Sequence, residues 1–309
     1  MRLFFLSAVC LTLVGTSAHR AAAQSCCGKL DVPLAGTERA ANRGGQWLAG
    51  ISYELGFSHN GLVQEGYGIE RAMTNTLTFD LSYGITRWLT PSIALPVVYK
   101  YYGARVGDDE VSRNTFGIGD TLVLVKFGVL GSGEFAPGAL RIWIAPGIKL
   151  PTGSYRHDDA YGRLPASAQL GSGSFDGVLA AFAAFGLTGE ASKNLLILSV
   201  VARATTENSE GYRAGHYFES TLYVTASQIK KVGLRIGPQL RFGMRDRQAG
   251  MPLGNTGATR IALKAGAAYA MGETTSLTAD LQIPLYGRVH GDQLDPLLAF
   301  TLGLLVSYP

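Results

Sequence analysis

From Lys231 to Arg245 the chain reads as two interleaved sequences. Val232, Leu234, Ile236, Pro238, Leu240, Phe242 and Met244 alternate with Gly233, Arg235, Gly237, Gln239, Arg241, Gly243 and Arg245. A period of two is strand geometry, because successive side chains point to opposite faces of a pleated sheet. Wound into a helix, the same residues would scatter arginines around the whole circumference. Soluble strands run roughly 5–6 residues, whereas a strand crossing a bilayer at a tilt needs about 9–11. The run therefore predicts one face against lipid and the other against a polar lumen.

The same rhythm recurs along the chain. The first alternation places Trp47, Ala49, Ile51, Tyr53, Leu55 and Phe57 outward and Gln46, Gly50, Ser52 and Glu54 inward. The second sets Leu77, Phe79, Leu81 and Tyr83 against Thr74, Thr76, Thr78 and Asp80. The third sets Ile93, Leu95, Val97, Tyr99 and Tyr101 against Ser92, Ala94 and Lys100. After a polar loop at Gly103–Thr115 comes a strand with Asp120 and Lys126 inward. Next are Leu140–Leu150 with Arg141 and Lys149 inward, and Ser172–Phe185 with Asp176 inward. The second half adds Leu195–Thr205, Tyr217–Ala226, Lys231–Arg245, Thr259–Met271, Ser276–Tyr286 and Pro296–Tyr308. The reading is an all-β, antiparallel transmembrane barrel of about twelve strands.

Connections alternate between short ones (Gly84–Trp88, Gly131–Gly138, Gly186–Asn194, Ser227–Lys231, Gly272–Thr275) and longer polar ones such as Gly153–Ala168 and Asp246–Thr256. Short periplasmic turns and long external loops are the outer-membrane pattern, and they place both termini in the periplasm. Aromatic residues cluster at the inferred strand ends. Trp47, Tyr83, Trp88, Phe127, Phe185, Tyr269 and Tyr308 are expected in the periplasmic girdle, and Phe57, Tyr101, Phe116 and Phe218 in the outer one. Pro96, Pro146, Pro238 and Pro284 fall inside proposed strands and cannot donate to a ladder, so bulges are expected to absorb them. A soluble exported β-sandwich is the rival architecture.

In the last strand, Leu298, Phe300, Leu302, Leu304, Val306 and Tyr308 alternate with mostly small residues and end beside an aromatic. That pattern resembles the C-terminal signal read by the outer-membrane assembly machinery, which makes that machinery and outer-membrane lipid the expected partners. Pro309 after Tyr308 departs from the pattern.

Composition narrows the class. Of 309 residues 47% are hydrophobic and 16% charged, against a usual charged share of roughly 25%. Past the N-terminus no uninterrupted apolar stretch reaches the ~18 residues of a spanning helix. Arg2, the apolar run Leu3–Gly15 and the small residues to Ala23 read as a signal peptide over 1–23. A tail over 24–44 and a barrel over 45–309 follow. The net charge of +4 falls further when Arg2 and Arg20 leave with the leader, too weak a surplus for nucleic acid. Cys26 and Cys27 remain as a vicinal pair. A processed tail, lipidation of Cys26, a metal site and an intermolecular bridge are all compatible with it, although no histidine lies near at ligand spacing.

Four segments resemble, jointly and in order, the outer-membrane transporter family named for the meta pathway of phenol degradation. They are Leu81-Ser-Tyr-Gly-Ile-Thr86, Phe116-Gly-Ile-Gly-Asp-Thr121 with Lys126, Lys149-Leu-Pro-Thr-Gly153, and Gln169-Leu-Gly-Ser-Gly-Ser-Phe-Asp176. The resemblance implies a barrel and small-solute traffic; it carries over no ligand residue. Gly117-Ile-Gly-Asp120 is not a phosphate loop, since no helical pattern follows it. His157-Asp158-Asp159 on an external loop is the most suggestive catalytic grouping, but no nucleophile motif accompanies it. A surface hydrolase is accordingly the weakest reading, and no catalytic residue, cofactor or metal is expected.

The informative surface is the lumen. Inward positions carry Lys100, Lys126, Arg141, Lys149, Arg203, Arg235, Arg241, Arg245, Arg260 and Lys264, against Glu54, Asp80, Asp120, Asp176, Glu219 and Asp280. Twelve strands fall between a filled barrel and an open channel. The basic surplus would favour small anionic or aromatic-acid solutes. The alternative is a structural or assembly barrel whose lumen is sealed by salt bridges.

Overall fold

In the computed structural model the described residues are 44–59, 71–106, 109–131, 138–160, 162–187, 194–229, 231–291 and 293–308. The expected leader, Cys26, Cys27 and the loop at 60–70 lie outside them. Among the described residues, twelve long strands follow one another around a closed barrel. They are β1 (Trp47–His59), β2 (Arg71–Tyr83), β3 (Leu89–Val106), β4 (in two segments, Asp109–Ile118 and Thr121–Leu130), β5 (Leu140–Leu150) and β6 (Asp176–Gly186). Then come β7 (Asn194–Ala204), β8 (Tyr217–Ile229), β9 (Val232–Gly243), β10 (Ala258–Ala270), β11 (Thr275–Val289) and β12 (Asp295–Tyr308). Each strand pairs antiparallel with the next. β1 closes on β12 from Trp47↔Tyr308 to His59↔Asp295. Closure removes both sheet edges, so the ladder can lie in hydrocarbon without orphaned backbone groups.

The alternation read from the sequence governs which face each residue takes. On β9, Leu234, Ile236, Leu240 and Phe242 are exposed, while Gly237 and Gln239 are buried and Arg235 and Arg241 half-buried. On β12, Leu302, Leu304, Val306 and Tyr308 face out and Gly303, Leu305 and Ser307 in. The aromatic residues lie at strand ends as expected. Trp47 pairs with both Tyr308 and Tyr83, and the Trp47 and Tyr83 rings meet at 4.5 Å. Phe57, Phe116 and Phe218 are exposed toward the long-loop end, although Tyr101 is half-buried.

The prolines mark interruptions of the ladder. Pro96 on β3 lies opposite the break in β4, where Gly119 donates its N–H to the Pro96 carbonyl at 2.9 Å. Opposite Pro146, β4 skips from Leu124↔Gly147 to Phe127↔Ile144. Opposite Pro238, β8 skips from Thr221↔Gln239 to Val224↔Ile236. Beside Pro284 the register shifts between Ile261 and Ala262. A residue without an N–H is tolerated where no N–H is called for. Next to Pro238, a Cβ on Gly237 would meet the Leu222 carbonyl oxygen at 1.7 Å, so the close approach of β8 there requires glycine.

One connection differs from the expectation. The supposed loop Gly103–Thr115 is mostly strand, with Ala104↔Val111 and Val106↔Asp109 in register. Its charged residues obscure the alternation, but a ladder beyond the bilayer needs backbone pairing rather than an apolar face. The long connections carry their own small sheets, Asp158–Asp159 with Gly162–Arg163, and Tyr212–Arg213 with Arg247–Gln248 and Met251–Pro252. No helix of the described residues is long and apolar enough to cross a membrane.

Candidate functional site: the barrel lumen

The lumen is not uniformly polar. On the wall formed by β4 to β8, inward positions are apolar and packed together: Leu122, Leu124, Trp143, Val178, Phe182, Ile197, Val201 and Tyr223 are all buried. These strands are apolar on both faces, the pattern of a sheet covered on both sides. The expectation of a polar lumen therefore fails over this wall. Lys126 and Arg141, placed inward by the alternation, are buried against it, with the Lys126 ammonium 5.2 Å from the centre of the Trp143 ring. Asp80 lines a small cavity of about 70 Å³ with Ser52, Ser82, Thr90, Ser92 and Lys126 near the short-turn end.

Above that wall the connection between β5 and β6 folds into the barrel. Leu164, Ala168, Gln169 and Leu170 are buried within it, although its composition reads as a solvated loop. The inserted segment includes a 3-10 turn, Ala166–Ala168. Carbonyls at a helical terminus need donors, and the barrel wall supplies them. Lys100 donates to the Ser167 and Gln169 carbonyls at 2.9 and 2.5 Å, and Thr115 donates to Ala168 at 2.8 Å. The Gln169 side chain fastens the segment to itself, accepting from the His157 N–H and donating to the His157 and Leu164 carbonyls. His157 thus closes a loop.

An ion cluster anchors the base of this insertion. The Lys149 ammonium, fully buried, lies 2.6 Å from Asp120 and 3.1 Å from Asp176, and it also donates to Ser172 and to the Ser174 carbonyl. Asp120 further accepts from the N–H groups of Gly153 and Ser172. Asp176 accepts from Arg203, Ser174 and the Thr206 N–H. A buried charge is tolerated only when paired and hydrogen-bonded. Here each carboxylate has several donors, and Lys149 has three acceptors besides its ion pair with Asp176. Asp176 and Ser174 set the loop's position, while Asp120, Lys149, Ser172 and Arg203 also border the space above it.

A family model described as "Putative MetA-pathway of phenol degradation" matches residues 67–289. The chain belongs to this family. Among solved structures, an outer membrane channel from Pseudomonas putida F1 is 17% identical, with 87% of this chain and 97% of that chain covered at a TM-score of 0.64. The translocator domain of the autotransporter NalP from Neisseria meningitidis is 12% identical, covering 88% and 91% at a TM-score of 0.46. The CymD monoaromatic hydrocarbon channel is 9% identical, covering 93% and 95% at 0.42. No curated protein matches the sequence. The protein has the closed β-barrel fold of the Pseudomonas putida F1 outer membrane channel. Three of the segments that resembled the phenol-degradation family meet at the anchor just described. Asp120 belongs to the segment 116–121, Lys149 opens the next, and Ser172, Ser174 and Asp176 come from the last.

Between the inserted loop and the opposite wall lies a chamber of about 660 Å³. Glu54, Lys100, Arg203, Arg241 and Arg260 line it, with Tyr102, Tyr217 and Gln239. The guanidinium groups of Arg241 and Arg203 lie 4.7 and 5.7 Å from the Tyr217 ring centre. Inward parity alone marks Tyr217 and Gln239, since neither is charged. The inward basic residues expected on β9 and β10 are corrected in two respects. Arg245 lies beyond the end of β9, exposed on the rim, with Nη2 3.2 Å from His290 Nδ1. Arg235, Arg241 and Arg260 have acids within reach in Asp280, Glu219 and Asp295, because neutralisation comes from β11 across β10, from neighbouring β8 and from the start of β12. Lys264 is half-buried on β10.

The long loops are tied together over the chamber. Glu210 receives Arg156 at 2.9 Å and Arg163 at 2.6 Å, so it joins the connection after β7 to the one after β5. Arg113 forms a two-bond pair with Asp159 at 2.6 and 2.7 Å. Tyr212 and the Gly215 N–H both reach Asp246, linking the connection after β7 to the one after β9.

Proposed function

We propose that this outer-membrane barrel passes small anionic solutes, polar aromatic acids among them, without converting them chemically. The observation that carries the reading is the chamber of about 660 Å³ with Lys100, Arg203, Arg241 and Arg260 in its wall. Ligand sites for small molecules are commonly about 300–1,000 Å³. A basic lining within low-dielectric walls raises the local concentration of anions. The long-loop end faces outside and the short-turn end the periplasm, with both ends of the chain on the periplasmic side. Below the chamber, passage follows the polar seam through Ser52, Asp80, Thr90 and Lys126 rather than the packed wall of Trp143 and Phe182.

That same packed wall favours a second reading, a structural barrel that conducts nothing. Liposome swelling separates the two. Proteoliposomes placed in isotonic sodium benzoate should swell faster than protein-free liposomes, and faster than in a neutral sugar of larger size. Equal rates with and without folded protein would support the sealed barrel.

A further inference from the structure

Across β8, β9, β10 and β11, one rung of the ladder carries Glu219, Arg241, Arg260 and Gly287. Arg241 and Arg260 are direct cross-strand partners, and both line the chamber. Like charges directly opposite one another destabilise a sheet. Elsewhere the lumen avoids the arrangement: Arg235 faces Gly266, and Lys149 faces Leu122 on one side and Asp176 on the other. Acids flank the pair from outside, Glu219 on the rung at 3.9 Å from Arg241 and Asp295 from the start of β12 at 3.9 Å from Arg260. The charges therefore run negative, positive, positive, negative. One anion between the two guanidinium groups would make them alternate throughout.

We infer that Arg241 and Arg260 form the binding site for the carboxylate of a small planar organic acid. The inference rests on the proposed function and deepens it by placing the solute. Two guanidinium forks match the two oxygens of a carboxylate, a geometry lysine does not offer. Space is present in the chamber that both arginines line, and on the far side of Arg260 the wall stays open at Gly287, where a Cβ would meet Asp295 and Arg260 atoms no closer than 3.8 Å. Gln282, also on the chamber wall, adds an amide donor, while Gln239 donates to Glu219 at 2.7 Å and holds that acid on its side of the pair. The Tyr217 ring, its centre 4.7 Å from the Arg241 guanidinium carbon, holds that guanidinium at the chamber wall.

Equilibrium dialysis of benzoate and of its neutral isostere benzamide against the folded, heat-modifiable barrel in detergent tests this. Benzoate should bind more tightly than benzamide, and Arg241→Gln and Arg260→Gln should each weaken benzoate by about tenfold or more, a charge-assisted hydrogen bond being lost. Arg87→Gln, the same change of charge in a turn at the opposite end, should bind as the parent does. Equal binding of benzoate and benzamide by the parent protein overturns the inference without needing any variant to fold. Unaltered benzoate binding by both folded chamber variants overturns it too. Anion-selective conductance without benzoate binding would sink this site and leave the channel standing. Binding by a barrel that never conducts would do the reverse.

Discussion

Arg235 and Asp280 are joined by two short hydrogen bonds, 2.8 and 2.6 Å, although β10 runs between their strands. The residue between them in register is Gly266. A Cβ there would lie 2.0 Å from Asp280 Oδ1 and 2.9 Å from Arg235 Nε. The pair crosses over a strand because that strand offers no side chain. Gly266→Ala should therefore cost about 1–3 kcal/mol, the range for forcing a methyl group into a packed site. Urea titration of the refolded barrel, followed by heat-modifiable gel mobility, reads the change. A midpoint equal to the parent's would show that the pair is not held over the glycine.

Lys149 is the charge on which the inserted loop depends. Lys149→Met keeps the length of the side chain but leaves Asp120 and Asp176 buried beside one another without their shared cation. Removing one partner of a buried pair costs about 3–5 kcal/mol. Loosening of the segment around Ala166–Ala168 should follow, seen as protease cleavage between Arg163 and Ser172 in the folded protein. Parent-like stability and resistance to protease would mean that the loop is held by Lys100 and Thr115 alone.

Phe182 and Leu179 lie on the same strand with opposite duties. Phe182 is 3% exposed in the lumenal cluster, and Leu179 is 50% exposed on the outer face. Phe182→Ala should destabilise by about 3–5 kcal/mol through a cavity, while Leu179→Ala, whose site borders lipid, costs less. Unfolding midpoints of the two variants in one detergent make the comparison, and an equal loss would contradict a packed lumen wall.

Tyr308 and Phe300 face outward on β12, which closes the barrel by pairing with β1. Replacing both with serine should lower the amount of heat-modifiable protein in the outer-membrane fraction, because lipid-facing area and the C-terminal recognition pattern disappear together. Undiminished levels would remove the last strand from the account of assembly.

How far the sequence foretold this depends on the kind of information each feature needs. Strand number, facing and closure were legible because period-two alternation is local; Leu234 to Phe242 state their face within one element. The ion pairs were not, since Arg235 and Asp280 meet only once register is set across three strands. The inserted loop was equally hidden. Leu164 and Leu170 lie in a stretch without periodicity, and what draws it inward is Lys100, more than sixty residues earlier. The apolar wall was misjudged because inward positions were read by their charges, whereas Val178, Phe182 and Ile197 carry the lumen there by packing.

The central claim is that a basic lumen admits small anions, and reversal potential across a planar bilayer measures it most directly. Purified, folded protein under a potassium chloride gradient should give small channels whose reversal potential has the sign of chloride preference. Arg241→Glu should move that potential toward potassium, because it places a second acid beside Glu219 on the same rung. A folded barrel that stays silent, or one whose selectivity ignores the charge at position 241, would contradict the account.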